Sequence, residues 1–181
     1  MGVGPVLSLD RQENRLSLCS LPSQRAYHAF VQNAYQQAPG WLTPVELFSP
    51  FLSRAIARLL LEQHGDAARP MHIIEVGAGR GQLAADVLEY IRDYRSDIYA
   101  TIRYTIVEIS PNLANAQRIY LSQWMDLQKL DVVCNDVTTW LAHGDNYPDQ
   151  MAPNDTADVH VIACEVLDNF PHDLVQVSDG S

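Results

Sequence analysis

A carboxylate and three alternating glycines stand at the centre of "MHIIEVGAGRGQLAADVLEYI", residues 71–91. Gly77, Gly79 and Gly81 separate an apolar run, typical of a buried strand, from a pattern with helical spacing. Glycines at such a turn let a ligand approach the backbone N–H groups at the start of the helix. The segment therefore predicts a ligand-binding loop. The alternative is a tight turn without a ligand, because short glycine motifs often occur by chance.

The residues beside the glycines restrict the kind of ligand. The dinucleotide fingerprint G-x-G-x-x-G would place its third glycine at position 82, where this chain has Gln82. Glu75 lies two residues before the first glycine, and its charge would repel a pyrophosphate held in the loop. A ligand with an ammonium and a sulfonium group suits the loop better. We therefore predict S-adenosylmethionine as the cofactor, with Glu75 reaching its methionyl amine, and disfavour a nicotinamide-dependent oxidoreductase.

Two further apolar runs also end in acidic residues. Glu108 closes "YTIVE", 27 residues after Gly81, a spacing comparable with the roughly 20 residues expected before an acid that accepts from ribose hydroxyls. Asp136, in "VVCNDV", could accept from the adenine amino group. The alternatives are a solvated acid at the strand end for Glu108 and an Asx turn for Asp136. Carboxyl ends of parallel strands meet at one edge, so these acids should converge on one crevice.

Alternating strand and helix patterns must position these side chains. The predicted strands are "HIIEV", "IRYTIVEI", "DVVCNDV" and "VHVIACEV". The predicted helices are "SQRAYHAFVQNAYQQAPG", "SPFLSRAIARLLLEQHG", "QLAADVLEYIRDY" and "SPNLANAQRIYLSQWM". Ser49 should cap the second of these helices, which should end at a left-handed Gly65, and Ser110 should cap the fourth. The order predicts an α/β fold with a mostly parallel sheet covered on both faces.

Composition narrows the possible partners. The 181 residues are 47% hydrophobic, which is enough for one domain with a core. The net charge of -10 and pI near 4.8 argue against nucleic acid and anionic lipid and favour a basic partner. No apolar window reaches the roughly 18 residues of a membrane span. Cys19, Cys134 and Cys164 fit neither a disulfide framework nor a zinc ligand set, which indicates a reducing compartment and no metal.

Several of these segments resemble one known family. "HIIEVGAGRG", "YTIVEISP" and "CEVLDNFP" resemble the glycine loop, the strand-two acid and the "NE-x-x-D-x-x-P" segment of MidA-like methyltransferases. This group contains the mitochondrial complex I assembly protein-arginine methyltransferase. "WLTPVELFSPFLSRAIA" resembles the family's "T-x-PE" segment, with Val45 between Pro44 and Glu46. The resemblance runs from about residue 41 to 175, and it divides the chain into an N-terminal arm and helix, 1–40, and a Rossmann-like methyltransferase domain, 41–181.

The resemblance implies an activity and assigns roles to residues. It implies a protein-arginine N-methyltransferase that uses S-adenosylmethionine, acts on the 49-kDa-type subunit of respiratory complex I in the mitochondrial matrix, and supports complex I assembly. It places Glu165 and Asp168 near the methyl acceptor, where carboxylates would orient a guanidinium. The alternative is that both acids only cap the turn before Pro171. Cys164 stands where the family often has Asn. The implied cofactor residues are Glu75, Gly77, Gly79, Gly81, Glu108 and Asp136.

The segment after the fourth predicted strand is short for this family. A methyltransferase sheet of this kind adds three strands after "VHVIACEV", whereas only "PHDLVQVSDGS" follows the last motif. We therefore expect a member truncated at its C-terminus, whose fourth strand has an unpaired edge. The alternative function is a catalytically inactive cofactor-binding or assembly-factor module.

Overall fold

The computed structural model describes residues 42–65, 69–142 and 157–166. The helices are α1 (Pro44–Leu47), α2 (Phe51–Gln63), α3 (Gln82–Tyr94), α4 (Ser96–Thr101), α5 (Pro111–Tyr120), α6 (Ser122–Asp126) and α7 (Val137–Ala142). The strands are β1 (Met71–Val76), β2 (Arg103–Glu108), β3 (Leu130–Cys134) and β4 (Asp158–Ile162). None of the helices within these ranges is long and apolar enough to cross a membrane. The helix predicted over 23–40 lies outside the described residues.

The four strands form one sheet in the order β3-β2-β1-β4, and every pairing in it is parallel. The predicted α/β fold with a parallel sheet is therefore confirmed. β2 and β3 lie on one side of β1, while β4 lies on the other, so the strand order reverses beside β1. Open α/β sheets bind ligands outside the carboxyl ends of their strands at such a reversal. This topology places the glycine loop, which follows β1, at the favoured position.

Side chains alternate between the two faces of the sheet. One face packs against helices α2 to α6 in a continuous core that includes Ile73, Tyr104 and Ile106. On the other face, Trp140 of α7 packs with Ile74 and Val107. Apolar residues on both faces are what a parallel sheet between helices requires. The covering is uneven at β4, because its residues Val159 and Val161 are 43% and 65% exposed.

The ends of α2 differ from the prediction. Ser49 does not cap this helix; its hydroxyl donates to Asp86 Oδ2 at 2.8 Å instead. The helix begins at Phe51, directly after Pro50, without a side-chain hydrogen bond at its cap. The buried carboxylate of Asp86 needs donors, and this need directs the Ser49 hydroxyl away from the helix. The prediction that Gly65 is left-handed is also wrong. The chain leaves α2 through His64 at φ -76° and ψ 87°, and Gly65 does not have a positive φ.

The helix predicted after β2 is divided into α5 and α6. The Ser110 hydroxyl accepts from the Leu113 N–H at 3.4 Å, with Pro111 in the first turn, so the predicted start is confirmed. The predicted continuous helix is wrong, because α5 stops at Tyr120 and Leu121 separates it from α6, which ends at Asp126, one residue beyond the predicted segment. Leu121 is fully buried, so the break directs an apolar side chain into the core.

Candidate functional site

The glycine loop joins β1 to α3 and has three residues in the left-handed region. Gly77, Gly79 and Gly81 have φ values of 66°, 56° and 87°. A Cβ at Gly81 would lie 2.9 Å from Leu121 Cδ1, and a Cβ at Gly77 would lie 3.1 Å from Val166 Cγ2. A Cβ at Gly79 would meet no atom within 4 Å. Packing therefore restricts positions 77 and 81, whereas the space beside Gly79 is open to a ligand.

Backbone hydrogen bonds fix the shape of this loop. The Gly77 N–H donates to Val107 O at 3.0 Å, which ties the loop to β2. The Gly81 N–H donates to Ala78 O at 2.8 Å and closes the turn. The Gly79 N–H has no acceptor among the described residues. The open side of Gly79 thus combines free space with an available donor near the start of α3, as an anionic or polar ligand group requires.

Gln82, where the dinucleotide fingerprint has a glycine, belongs to a side-chain network. Its Nε2 donates to Asp86 Oδ1 at 2.8 Å, and its Oε1 accepts from the Tyr120 hydroxyl at 3.0 Å. Asp86 also accepts from Ser49. Gln82 therefore links α3 to α5, a role that a glycine could not perform.

Glu75 lies at the carboxyl end of β1 and is only 3% exposed. Its Oε2 accepts from the Tyr104 hydroxyl at 2.7 Å. Burial raises the pKa of Glu75 to about 7; the Tyr104 hydrogen bond opposes this rise, and the charge of Glu108 adds to it. A cationic group beside these two acids would favour their ionised forms. Contact between Glu75 and a cofactor amine stays a prediction.

Glu108 ends β2 and is 4% exposed, so the alternative of a solvated acid is wrong. Its Oε1 accepts from the Ser110 N–H at 2.9 Å, and its Oε2 accepts from Gln117 Nε2 at 3.1 Å. Burial raises the pKa of Glu108, whereas these hydrogen bonds lower it. Each oxygen keeps a second lone pair that could accept from a ribose hydroxyl. This ribose contact stays a prediction.

Of the other predicted acids, the structure describes Asp136 and Glu165 but not Asp168. Asp136 Oδ1 accepts from the Thr138 N–H at 2.8 Å and from the Thr138 hydroxyl at 2.6 Å, so the alternative of an Asx turn is confirmed. Its contact with adenine stays a prediction. Glu165 follows β4, is exposed and has a left-handed φ of 54°. Asp168 lies outside the described residues. Cys164 is partly buried beside the core.

The "T-x-PE"-like segment lies against the glycine loop. Thr43 and Glu46 form a capping box around α1, in which Glu46 Oε2 accepts from the Thr43 N–H at 2.9 Å. The other oxygen of Glu46 lies 3.5 Å from Arg80 Nε. This ion pair shows that the segment lies beside Arg80, which stands between Gly79 and Gly81. The inserted Val45 therefore does not prevent contact between the segment and the loop.

Two residues that the motifs did not reveal complete the site. Tyr104 is the second residue of β2 and is fully buried, and a buried hydroxyl needs a partner. Gln117 shares the buried face of α5 with Ala114, and is itself fully buried. A polar residue at an apolar position of a helical pattern was the available signal for Gln117, but the sequence does not identify its partners.

Together these residues fit S-adenosylmethionine. The left-handed glycines leave open space and a donor on one side of the loop, and Glu75 and Glu108 place two buried acids beside it. Its ammonium and sulfonium charges suit these acids, whereas the pyrophosphate of a dinucleotide would be repelled by them. Glu75 and the glycine loop would hold the methionyl part, and Glu108 would hold the ribose.

A comparison with protein families agrees with this fit. A family model described as "Putative S-adenosyl-L-methionine-dependent methyltransferase" matches residues 52–181. An O-methyltransferase from Bacillus cereus in complex with S-adenosylhomocysteine is 16% identical over 67% of this chain and 47% of that chain, with a TM-score of 0.44. A protein from Burkholderia thailandensis, whose structure contains S-adenosylhomocysteine, is 21% identical over 66% of this chain and 39% of that chain, with a TM-score of 0.40.

An uncharacterized protein from Burkholderia thailandensis, known from a native crystal structure, is 22% identical over 67% of this chain and 38% of that chain, with a TM-score of 0.42. The chain thus spans less than half the length of each of these three proteins. No curated protein matches it. The family match covers well over half of the chain, from α2 to its last residue. The chain therefore belongs to this family of S-adenosyl-L-methionine-dependent methyltransferases, and S-adenosylmethionine is its cofactor.

Proposed function

We propose that the chain is a MidA-like protein-arginine N-methyltransferase. Its substrate is an arginine-bearing subunit of respiratory complex I in the mitochondrial matrix, and the modification supports assembly of that complex. The motif resemblance of the glycine loop, the "YTIVEISP" segment and the "CEVLDNFP" segment suggests this family. The net charge of -10 supports it further, because an acidic surface favours encounter with a basic substrate.

The observation that carries the proposal is the set of acids that follow neighbouring strands. Glu75 is the last residue but one of β1, Glu108 ends β2, and Glu165 follows β4 on the other side of β1. Glu75 and Glu108 are buried, whereas Glu165 is exposed, which suits it for contact with a macromolecular substrate. A guanidinium is protonated at neutral pH and presents planar pairs of donors that match a carboxylate. Glu165 therefore suits an arginine acceptor, whereas Glu75 and Glu108 are assigned to the cofactor.

The residues divide the work of methyl transfer between binding and orientation. The bound cofactor supplies a methyl group attached to a positively charged sulfur. Glu165 would orient the substrate guanidinium through paired hydrogen bonds and accept the proton that its nitrogen loses on methylation. Asp168 would supply a second carboxylate to the same guanidinium. Alignment is the main requirement for such a displacement, since holding two reactants in place removes much of the entropic barrier.

Transfer of a labelled methyl group to the 49-kDa-type subunit tests the proposal. We expect the chain to form methylarginine from labelled S-adenosylmethionine, as identified by peptide mass spectrometry. Glu165→Gln should lower this rate by roughly 100-fold or more, the usual contribution of a general base. Glu89→Gln, on an exposed part of α3, is the matched control. Binding of S-adenosylhomocysteine without methylarginine would contradict catalysis and favour the inactive cofactor-binding module. Methyl transfer to a hydroxyl group would refute the arginine acceptor.

A further inference from the structure

Gln117 connects the two parts of the cofactor site. It lies on α5, is fully buried, and uses a single nitrogen for two hydrogen bonds. Nε2 donates to Gly79 O at 2.8 Å and to Glu108 Oε2 at 3.1 Å. A side-chain amide has two N–H donors, so both bonds form together. One amide group thus bonds the loop after β1 and the acid that ends β2.

The bond to Gly79 fixes the orientation of a loop peptide. In a trans peptide, the carbonyl oxygen and the following N–H point in opposite directions. Because Gly79 O points to Gln117, the Arg80 N–H points away from Gln117. At Gly79 itself no protein atom would meet a Cβ within 4 Å, so the adjoining space is open. Gln117 therefore holds the loop in the conformation that leaves this space available.

The bond to Glu108 fixes a carboxylate. With Ser110 bonded to one oxygen and Gln117 bonded to the other, the Glu108 carboxylate has a donor on each side. Two such bonds restrict rotation of the carboxylate and favour its charged form against the effect of burial. A carboxylate held in this way is preorganised to accept from a ribose hydroxyl.

We propose that Gln117 is a positioning residue that couples the glycine loop to Glu108, so that the methionyl and ribose parts of the cofactor are bound cooperatively. The proposal rests on the cofactor site described above and not on the arginine acceptor. Gln117 acts through Gly79 and Glu108 and has no assigned contact with the cofactor. A buried glutamine with a purely structural role would stabilise the fold without this coupling.

Calorimetric titration with S-adenosylhomocysteine tests the coupling through a double-mutant cycle. Gln117→Met keeps the length of the side chain but removes both donors. We expect it to weaken binding about tenfold, since loss of a hydrogen bond to a charged group has roughly that effect. In a chain that also carries Glu108→Ala, Gln117→Met should weaken binding by only about threefold, because one of its two partners is absent. Equal losses in both backgrounds would overturn the coupling.

Gln123→Met is the matched control, because Gln123 lies on the neighbouring helix α6 and is exposed. It should bind S-adenosylhomocysteine as the parent chain does. If the parent chain itself fails to bind, the cofactor site is wrong; if Gln117→Met binds as tightly as Gln123→Met, only the role of Gln117 is wrong. The Gln117→Glu variant adds a pH profile. Relative to the parent chain, the affinity of this variant should fall as pH rises, because an ionised carboxylate has no donor and would repel Glu108. A profile parallel to that of the parent would count against the proposal.

Hydrogen exchange in the unmodified chain gives a measurement that does not depend on the folding of any variant. The two side-chain amide protons of Gln117 each form a buried hydrogen bond. They should therefore exchange with solvent at least tenfold more slowly than the amide protons of the exposed Gln123. Saturation with S-adenosylhomocysteine should slow the exchange of Gln117 further. Equal exchange rates for the two side chains would overturn the proposal.

Discussion

The raised pKa of Glu75 predicts that the stability of the fold depends on pH. The ordinary pKa of a glutamate is 4.5, and burial raises that of Glu75 to about 7. Between these values the folded chain keeps a proton on Glu75 that the unfolded chain has lost. At Glu75 the folded state therefore binds more protons, so the contribution of this residue to the free energy of unfolding falls as pH rises through this window. At about 1.4 kcal/mol for each pKa unit, the loss between pH 4.5 and pH 8 is roughly 3 kcal/mol.

Glu75→Gln isolates this contribution. The amide has nearly the same shape, can still accept from the Tyr104 hydroxyl, and does not titrate. Urea unfolding at several pH values should show the variant gaining roughly 3 kcal/mol relative to the parent between pH 4.5 and pH 8. Burying the amide has a cost that does not depend on pH. This cost therefore cancels when the stability difference between variant and parent at pH 8 is compared with that at pH 4.5. Glu89→Gln should follow the parent curve, and parallel curves for Glu75→Gln and the parent would refute the reasoning.

Four substitutions test the other site residues. Gly79→Val should abolish binding of S-adenosylhomocysteine. Gly81→Val should destabilise the fold more strongly than Gly79→Val, because only at position 81 is a steric conflict with the core added to the strain of the left-handed backbone. Equal melting temperatures for the two variants would contradict this difference. Glu108→Ala should weaken calorimetric binding by about 1–3 kcal/mol, and parental affinity would remove it from the ribose site. Asp136→Ala should lower stability to urea by about 1 kcal/mol through loss of the α7 cap, and unchanged cofactor affinity would exclude its contact with adenine.

The sequence predicts the fold well because its signals are local. The strand that contains Glu75 and the helix that begins at Gln82 follow from hydrophobic periodicity and from the glycines between them. One error arises where a distant side chain competes with a local preference. Ser49 has a strong tendency to cap a helix, but Asp86, 37 residues away, takes its hydroxyl. No local pattern could have identified that partner.

The site shows the same division between local and distant determinants. Acids at strand ends are visible as soon as the strands are recognised, so Glu75 and Glu108 were predicted. Tyr104 and Gln117 were missed because their importance depends on partners at sequence separations of 29 and 38 residues. Hydrogen bonds of this kind form only once the parallel register brings β1 beside β2. The sequence thus reveals the acids but not the groups that set their charge and orientation.

The glycine motif reads as one unit in the sequence, yet its members respond to different neighbours. Gly81 is restricted by Leu121, just after α5, and the carbonyl of Gly79 is held by Gln117, on α5 itself. Gly77 donates to Val107 of β2. The loop that follows β1 is therefore shaped by β2 and by the helix after it. Because the same helix also supplies the donor that orients Glu108, a change on its buried face should disturb the methionyl and ribose contacts of the cofactor together.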